Sequence, residues 1–523
     1  MNGDRSLSRV VVVGRDADLW LCVNALCAAL GPVGVQVVAI ELPTGLKPSD
    51  VSTTLPPLEA LHTKLNIQES SLLRLTGGSF SLGHNIVDVS GRRGVRSFFH
   101  AWGACGAPID GHAFFPCWLK AARNGFNLPL QDFCLTAVAA RNGRMLLPDE
   151  ATAAFGRTDY GYHLPTIAYV SYLKSNAAKL GCKLHEVQNV SVECDARGSI
   201  AALIVDGSLR VESQLFVDAS GADALLIGRS LGVPENSWRP HFSVDRVLSA
   251  RAQAFTSTPP FAEIRPTGVG WTALHPNRVA TGVIHAYCGN ILSDRAAVEL
   301  ATTVSGTKLA DVAFRPVNPH VRARVWEGNC VAVGRSACSL DPIHDVDLHA
   351  LQLGIVHLLA LFPVSGQFMA ERAEYNRMMH SHYERIRDFQ CAFYALAPFS
   401  GEFWQQARDQ LVPEPLAHKI ALFRARGEVA LMEDETFLAE SWQALLVGLG
   451  VTPESGSPAT ERDRAASEGI PSGESAKESP AGAIDRISLS RLNDEFRRIL
   501  EFIKSKVLEQ PTHDRYLDSV CRS

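Results

Sequence analysis

The sequence predicts an α/β protein, and three segments near the N terminus carry that prediction. Arg9–Val13 is a short valine-rich run typical of a buried strand, and Gly34–Glu41 is a second apolar strand. Between them, the turn at 14–18 leads into Leu19–Leu30, whose small and apolar residues favour a helix. The order strand, helix, strand implies two parallel strands that are buried on both faces.

The rest of the chain continues this alternation. We predict helices over the segments Pro56–Lys64, Gln68–Leu75, Tyr162–Leu180, Asp347–Phe362 and Met378–Tyr394. We predict strands over the segments Cys182–Val190, Ile200–Val205, Leu215–Asp218 and Val331–Gly334. Asp347 is a suitable N-cap for the apolar helix that follows it, because its carboxylate can accept bonds from the free amides of the first turn.

The composition changes abruptly near residue 453 and divides the chain into three parts. Residues 1–452 form the main body, and 453–484 are rich in Ser, Glu, Gly, Pro and Ala without an aromatic residue, which predicts a disordered linker. Residues 485–523 carry a final helix. Its apolar residues fall on one face and should dock on the main body: Leu492, Phe496, Ile499, Leu500, Ile503 and Val507.

Charge and composition exclude several classes of partner. The net charge is −5 and the pI about 6.4, which argues against nucleic acid, since phosphate binding needs a basic surface. No secretory signal opens the chain, and no apolar stretch reaches the roughly 20 residues that span a bilayer. The 12 cysteines include no Cys-x-x-Cys pair. We therefore expect a cytoplasmic protein that binds neither nucleic acid nor a membrane.

The turn after the first strand has the position of a dinucleotide-binding turn but not its residues. In the pattern Gly-x-Gly-x-x-Gly, the glycines make the turn, let the backbone approach the diphosphate and let the helix meet the strand. Here the three positions are Gly14, Asp16 and Leu19. Glu41 ends the second strand, near where a ribose-binding acid is expected. Two interpretations stay open: an altered cofactor site, and a β-α-β unit that binds no ligand.

Two later segments have the pattern of further ligand-facing turns. Leu215–Ile227 passes from a strand through Asp-x-Ser-Gly into an apolar helix, and its small residues let the backbone lie close to a ligand. In 329–348, a strand ends at Gly334, a loop contains Pro342, and a helix begins whose amides can face a flavin or an anion. The alternative in each case is an ordinary strand-turn-helix unit.

Together these segments resemble the flavin-dependent tryptophan halogenase family, which has an FAD-dependent monooxygenase-like fold. The family's opening Gly-Gly-Gly-Thr-Ala-Gly-Trp ends here in Trp20, and 54–58 is similar to its Ala-Thr-x-Pro stretch. The run 375–389 (YNRMMHSHYERIRDF) is near the family's Tyr-Asn-Arg and Tyr-Glu-Arg-Ile-Arg-Asp-Phe motifs. Further matches follow in order nearly to the C-terminal end.

The resemblance implies a dinucleotide-binding β-α-β lobe from roughly 8–80 and 200–365, and a mostly helical substrate lobe from the remainder. It implies FAD as cofactor, reduced by a separate reductase, and a homodimer or a complex with a related protein. In the family, FAD and oxygen convert halide to hypohalous acid. This acid travels through a tunnel to a lysine, and a glutamate assists the halogenation of an indole.

At the family's catalytic positions this chain has different residues. Ser81, within the run 78–83 that matches Gly-Thr-Phe-Lys-Leu-Gly, stands at the lysine position and has no amine. Lys64, the nearest lysine in sequence, is on a different predicted element. His344 stands at the glutamate position of Glu-Pro-Leu-Glu-Ser-Thr-Gly and is a candidate general base near neutral pH.

The halide and substrate positions differ as well. The family's halide amides correspond to Val346 and Asp347, and Asp345 and Asp347 would oppose chloride by about 1 kcal/mol each at 4 Å in a water-like dielectric. Trp271 matches the first tryptophan of Trp-x-Trp-x-Ile-Pro and should line the substrate pocket, whereas Ala273 replaces the second. Residues 49–52 replace the family's Gly-Val-Gly-Glu near the flavin.

The residues around His344 also raise the question of a metal site. His344, Asp345, Asp347 and His349 match no known ligand spacing, and a helix start capped by Asp347 accounts for them. We therefore predict no metal from the sequence.

Three hypotheses about function follow. The first is a flavin-dependent oxidoreductase of the monooxygenase class that acts on an aromatic, indole-like substrate with altered substrate choice or altered chemistry, and with His344 as its candidate acid or base. The second is a catalytically inert pseudo-halogenase that serves as a binding partner or ligand-binding protein. A fully working tryptophan halogenase is the third and is disfavoured by Ser81, His344 and the altered halide position.

Overall fold

A computed structural model describes residues 7–90, 97–363, 369–454 and 487–522. A six-stranded sheet forms the centre of the predicted β-α-β lobe, and its strands are parallel except for the first pair. In spatial order the strands are Trp326–Glu327 (β20), Cys330–Ala332 (β21), Leu215–Ala219 (β12), Arg9–Gly14 (β1), Gln36–Glu41 (β2) and Lys183–Glu186 (β8). The four valines of β1 are fully buried, as the apolar run predicted.

A seven-stranded sheet forms the second layer and is antiparallel except where β15 pairs with β5. Its strands are, in spatial order, Ala310–Pro316 (β18), Arg246–Ala252 (β14), Thr281–Tyr287 (β17), Gly270–Pro276 (β16), Ala262–Thr267 (β15), Gly83–Val87 (β5) and Ser97–Ala101 (β6).

Three small sheets of three strands each make up the rest of the β structure in the described residues. They are Leu209–Val211 (β11) with Ile200–Val205 (β10) and Val190–Cys194 (β9); Glu235–Ser237 (β13) with His320–Arg322 (β19) and Cys338–Ser339 (β22); and Val51–Thr53 (β3) with Gly161–Pro165 (β7) and Ser79–Ser81 (β4).

Helices cover the sheets and build most of the described chain after residue 346. The α-helices in the described ranges are Asp16–Leu30 (α1), Pro57–Lys64 (α2), Glu69–Thr76 (α3), Phe114–Arg123 (α4), Leu135–Arg141 (α5), Thr166–Lys179 (α6), Asp294–Ser305 (α7), Asp347–Ala360 (α8), Met369–Ala395 (α9), Glu402–Arg408 (α10), Glu414–Arg426 (α11), Ala439–Gly448 (α12), Leu489–Glu509 (α13) and His513–Arg522 (α14).

Several predicted boundaries are wrong for identifiable reasons. The predicted helix Tyr162–Leu180 begins only at Thr166, because the residues before it form β7 and pair with β3 and β4. The predicted strand Cys182–Val190 is divided between β8 and β9. Asp347 does not cap α8: it is the first helical residue, and its carboxylate pairs with Arg335 at 2.6 Å.

The predicted lobes are more interwoven than the sequence suggested. β8 belongs to the six-stranded sheet although it falls in the segment assigned to the substrate lobe. Conversely, β5 and β6 extend the seven-stranded sheet, whose other strands come from the segment assigned to the dinucleotide-binding lobe. As a result, His84 on β5 and His100 on β6 lie beside His344.

The C-terminal helix α13 docks through the predicted apolar face. Leu492, Phe496, Ile499, Ile503 and Val507 are buried and Leu500 is half-buried, which confirms that prediction. The ring of Phe496 lies 4.9 Å from that of Phe126 and 5.3 Å from that of Phe133. Residues 455–484 of the predicted linker lie outside the described residues.

The helix α1 is the one described segment with the length and hydropathy of a membrane span. The window Asp16–Val33 has a mean hydropathy of 1.2, and 61% of it is buried within the protein. It connects β1 to β2 and contributes 11 buried residues to the core. These contacts identify α1 as the core helix of the β-α-β unit.

Candidate functional site

A cleft of about 430 Å³ opens at the carboxyl ends of β1 and β12. It is lined by the turn after β1, residues 45–47 and 49–53, the turn at 220–223, and residues 341–342 and 345–348. Ligands of open α/β sheets bind at this edge, where strand order reverses. Of the predicted cofactor residues, Pro342 lines the cleft, whereas Gly14, Glu41 and Gly334 do not.

Gly14 and Gly334 are required by contacts within the protein. A Cβ atom on Gly14 would lie 2.2 Å from the carbonyl oxygen of Ala219, because β1 and β12 pair closely there. Gly334 has φ 59°, and a Cβ atom on it would lie 2.7 Å from a carboxylate oxygen of Asp18. Both glycines are explained without a ligand.

Glu41 is held by two side chains of the protein. The indole Nε1 of Trp20 donates to its Oε1 at 2.9 Å, and Nζ of Lys174 donates to its Oε2 at 2.6 Å. A ribose hydroxyl that used this carboxylate would share it with these donors.

The turn after β1 places two carboxylates at the start of α1. Asp16 has φ 56°, a left-handed conformation that glycine adopts without strain, and its carboxylate accepts from the Thr44 hydroxyl at 2.5 Å. Burial raises the pKa of Asp18 to about 7; Arg335 opposes this rise, while Asp347 and Asp16 add to it. Leu19 is fully buried in the core.

Charges of both signs line the cleft, and acids outnumber cations. Seven aspartates and four cationic side chains are found among its described lining residues. Two of the cations are neutralised, since Arg15 pairs with Asp223 at 2.8 Å and Arg335 with Asp347. A helix N terminus attracts phosphate, but Asp16 and Asp18 reduce that attraction. The cleft therefore lies where FAD would bind in this fold. The two aspartates in the turn after β1 weaken its attraction for the diphosphate.

The turn after β12 is organised by Asp218, which is fully buried. Its Oδ1 accepts from the amide and hydroxyl of Ser220 at 3.0 and 2.6 Å and from the hydroxyl of Ser336 at 3.1 Å. Its Oδ2 accepts from the amides of Leu226 and Ile227, both at 2.8 Å. One carboxylate thus fixes the predicted Asp-x-Ser-Gly turn at the wall of the cleft.

Trp271 lies in a buried hydrogen-bond chain rather than at the cleft. Its Nε1 donates to the hydroxyl of Tyr394 at 3.0 Å, and that hydroxyl donates to Asp341 at 2.7 Å. Burial raises the pKa of Asp341 to about 7, and the hydrogen bond from Tyr394 opposes this rise. Trp271 is 1% exposed, so a ligand would reach it only through movement of its neighbours.

His344 lies in an aromatic enclosure together with two histidines that the sequence did not single out. His84 on β5 and His100 on β6 are register partners in the seven-stranded sheet, and both are buried. Phe389 and Phe393 pack against His344 with centroid distances of 4.9 and 5.4 Å. Burial lowers the pKa of His344 well below its usual value, and His84 and His100 lower it further. The neutral imidazole is therefore a weaker base than predicted.

The backbone around His344 is strained. His344 has φ 70° and Asp345 has φ 57°, and non-glycine residues in this conformation cost on the order of 1–3 kcal/mol each. Such strain concentrates at functional sites. Both ring nitrogens of His344 and of His100 are buried without a hydrogen-bond partner in the described ranges, each at a cost of about 1–3 kcal/mol.

The carboxylates at the family's halide position have protein partners. Oδ2 of Asp345 lies 3.0 Å from Nε2 of both His84 and His275. Burial alone would raise the pKa of Asp345, but His275 and His84 outweigh it and hold the value well below the usual range. Asp347 pairs with Arg335, and His349 lies 3.1 Å from the Thr436 hydroxyl. The four residues considered for a metal therefore do not converge.

Ser81 offers no substitute for a catalytic amine. It is 3% exposed, at the end of β4, and its hydroxyl donates to the carbonyl of Gly83 at 3.4 Å. Lys64 is exposed at the end of α2 and away from the core.

Comparison with known proteins identifies the family. The model of the tryptophan halogenase family matches residues 9–464. The chain is 24% identical to tryptophan 6-halogenase of Streptomyces toxytricini, covering 87% of this chain and 92% of that one. It is 23% identical to tryptophan 7-halogenase of Lentzea aerocolonigenes, covering 86% and 91%.

Solved structures agree with the sequence relatives. A flavin-dependent halogenase from Xanthomonas campestris is 27% identical with a TM-score of 0.88, covering 99% of both chains. A flavin-dependent halogenase from Brevundimonas sp. BAL3 is 26% identical with a TM-score of 0.88, covering 98% of this chain and 99% of that one. The predicted fold and resemblance are confirmed, and the chain belongs to the tryptophan halogenase family.

Proposed function

We propose that this protein is an oxidoreductase of the flavin-dependent halogenase family that acts on an aromatic, indole-like substrate without lysine-dependent halogenation. The observation that carries the proposal is the pair of neutral residues at the family's reactive positions. Ser81 has no amine, and His344 is a buried neutral imidazole enclosed by phenylalanine rings. Aromatic walls favour a flat apolar ligand.

We propose FAD as the cofactor, held in the cleft beside α1. Lys47 and Pro342 line that cleft, and Lys47 would supply a cation for the diphosphate beside Arg15, which is paired with Asp223. When bound, FAD would supply the redox chemistry of the family. The protein's own contribution would be to fix the turns through Asp218 and to enclose the substrate region in aromatic rings. The cytoplasmic location and the homodimer, or complex with a related protein, stay predictions of the sequence.

FAD binding is expected to strengthen as the pH falls from 8 to 6. The pKa of Asp18 is raised to about 7, so its carboxylate is charged at pH 8 and neutral at pH 6. The charged form repels the diphosphate by at least about 1 kcal/mol, which corresponds to a roughly fivefold higher Kd at pH 8. Titration of the protein with FAD, followed by flavin absorbance and fluorescence, measures this ratio.

The control is Asp18→Asn, a neutral side chain of the same shape. This variant should lose most of the pH dependence and bind with an affinity close to that of the parent at pH 6, with any remainder due to Asp341, whose pKa burial also raises to about 7. An unchanged pH dependence in Asp18→Asn would assign the effect to another group. A complete lack of flavin binding at both pH values, up to roughly 1 mM FAD, would overturn the oxidoreductase proposal and favour the inert pseudo-halogenase.

Halogenation of tryptophan is expected to be absent. With FAD, a flavin reductase and chloride or bromide, the yield of halotryptophan should be at least roughly 100-fold below that of a working tryptophan halogenase assayed in parallel, because the amine and the acid-base carboxylate are both missing. Mass spectrometry of the product mixture measures the yield. A product carrying one halogen at a comparable rate would show that this chemistry needs neither group.

A further inference from the structure

Three buried histidines form a nearly equilateral triangle where β5 and β6 meet the turn at 343–345. The ring centroids of His84 and His100 are 6.1 Å apart, those of His84 and His344 5.9 Å, and those of His100 and His344 6.0 Å. One nitrogen from each ring can be chosen so that all three lie within 4.8 Å of one another. All three side chains are at most 1% exposed.

Five of the six ring nitrogens in the triangle have no hydrogen-bond partner among the described residues. His84 Nδ1 and both ring nitrogens of His100 and His344 are buried without a hydrogen bond among the described residues. A buried polar atom is ordinarily paired, so five unpaired imidazole nitrogens in one enclosure need an explanation. Among the described residues, the rings of His100 and His344 have no protein acceptor with which to share a proton.

The remaining nitrogen of His84 has the partner that a metal-bound histidine uses. Its Nε2 lies 3.0 Å from Oδ2 of Asp345, which leaves Nδ1 free to bind an ion. A carboxylate behind a ligating imidazole fixes the tautomer and raises the basicity of the ligand. His275 contacts the same carboxylate oxygen at 3.0 Å and holds it in place.

We propose that His84, His100 and His344 form a binding site for one divalent transition-metal ion, with Zn²⁺ as the best-fitting ion. Three imidazoles with an open fourth position are a known zinc arrangement, and imidazole also suits neighbouring transition metals. Three nitrogens bound to Zn²⁺ are roughly 3.4 Å apart. Each ring would therefore move inward by less than about 1 Å.

The backbone and the neighbouring ring that hold the three histidines are suited to a metal site. His84 and His100 stand on paired strands, which hold them in register, and the strained backbone at His344 turns the third ring toward them. Trp102 packs 5.0 Å from the centroids of both His84 and His100, and its Nε1 is also buried without a partner among the described residues. That donor is suited to a water or anion in the fourth position.

The site does not depend on flavin, so its test is separate from that of the proposed function. The full-length protein without an affinity tag is produced in medium supplemented with Zn²⁺, and metal content is measured by inductively coupled plasma mass spectrometry. After chelation, Co²⁺ is added and the visible absorption of tetrahedral Co²⁺ is recorded. We expect close to one ion per chain and a Zn²⁺-dependent rise in melting temperature.

His100→Gln and His344→Gln should each lower Zn²⁺ affinity by at least about 100-fold and abolish the Co²⁺ spectrum. Asp345→Asn should lower the affinity by about 10–100-fold, as expected for the partner of a ligand. The matched control is His285→Gln, which replaces a buried histidine that contacts Thr272 at 2.9 Å outside the cluster. Circular dichroism of the metal-free variants checks folding.

The metal content of the parent and of the variants decides between a metal site and no metal site. Bound metal that disappears in His100→Gln and His344→Gln but not in His285→Gln supports the site. Metal below about one-tenth of an equivalent in the parent overturns it, whether or not FAD binds. Equal losses in His285→Gln, or full binding in the cluster variants, also overturn it.

Discussion

Asp218→Asn is expected to lower the free energy of unfolding by about 3 kcal/mol or more. The buried carboxylate accepts five hydrogen bonds, two of them from the amides of Leu226 and Ile227 at 2.8 Å. An asparagine must place its NH₂ group against one of these sets of donors. Each buried donor left unpaired costs about 1–3 kcal/mol. Urea unfolding followed by circular dichroism measures the change.

The matched control is Asp223→Asn in the same turn. Asp223 is 34% exposed and pairs with Arg15 and Arg229, and exposed ion pairs contribute about 0–1 kcal/mol. This substitution should therefore change stability by less than about 1 kcal/mol. A similar loss of unfolding free energy in both variants would show that the negative charge in the turn, rather than the hydrogen bonds of the Asp218 carboxylate, stabilises the fold. Because the turn borders the cleft, Asp218→Asn should also weaken any ligand bound there.

Lys419→Met is expected to destabilise the helical part of the chain by about 3–5 kcal/mol. Lys419 is 2% exposed, forms a buried ion pair with Glu435 and lies 4.1 Å from the ring centroid of Trp442. Removing the ammonium leaves the Glu435 carboxylate buried without its counter-charge. Thermal and urea unfolding at pH 7 measure the loss.

The double variant Lys419→Met with Glu435→Gln tests the cause. It removes both charges and keeps an acceptor for Nε1 of Trp442, which lies 3.3 Å from Oε2 of Glu435. We expect the double variant to recover at least about half of the loss, since the uncompensated charge is gone. A single variant within about 1 kcal/mol of the parent would show that Glu435 finds water or another partner.

The elements that the sequence predicted correctly are those whose burial shows in the spacing of neighbouring apolar residues. The valine run of β1 and the apolar spacing of α13 each report burial directly, and both were confirmed. The start of α6 was wrong because Gly161–Pro165 is drawn into a strand by pairing with β3 and β4. That pairing joins segments far apart in the chain, and no local preference encodes it.

The sequence singled out candidate residues but did not show which of them come together, and of the predicted cofactor residues Pro342 lines the cleft whereas Gly14, Glu41 and Gly334 do not. Ser81 and His344 were found because they stand in motifs, whereas His84 and His100 stand in none. Their approach to His344 depends on the pairing of β5 with β6 and on a strained turn at 344–345. Likewise, nothing near Glu41 in sequence indicates that Lys174 reaches its carboxylate.

Gly14 has a consequence for how members of this family are recognised. Since a side chain there would collide with the carbonyl of Ala219, natural selection for folding alone would retain this glycine after a cofactor had been lost. A motif search that scores the first glycine as a nucleotide ligand would then count a packing requirement as evidence of catalysis. The second and third glycine positions, here Asp16 and Leu19, are the more informative ones for separating active from degenerate paralogues.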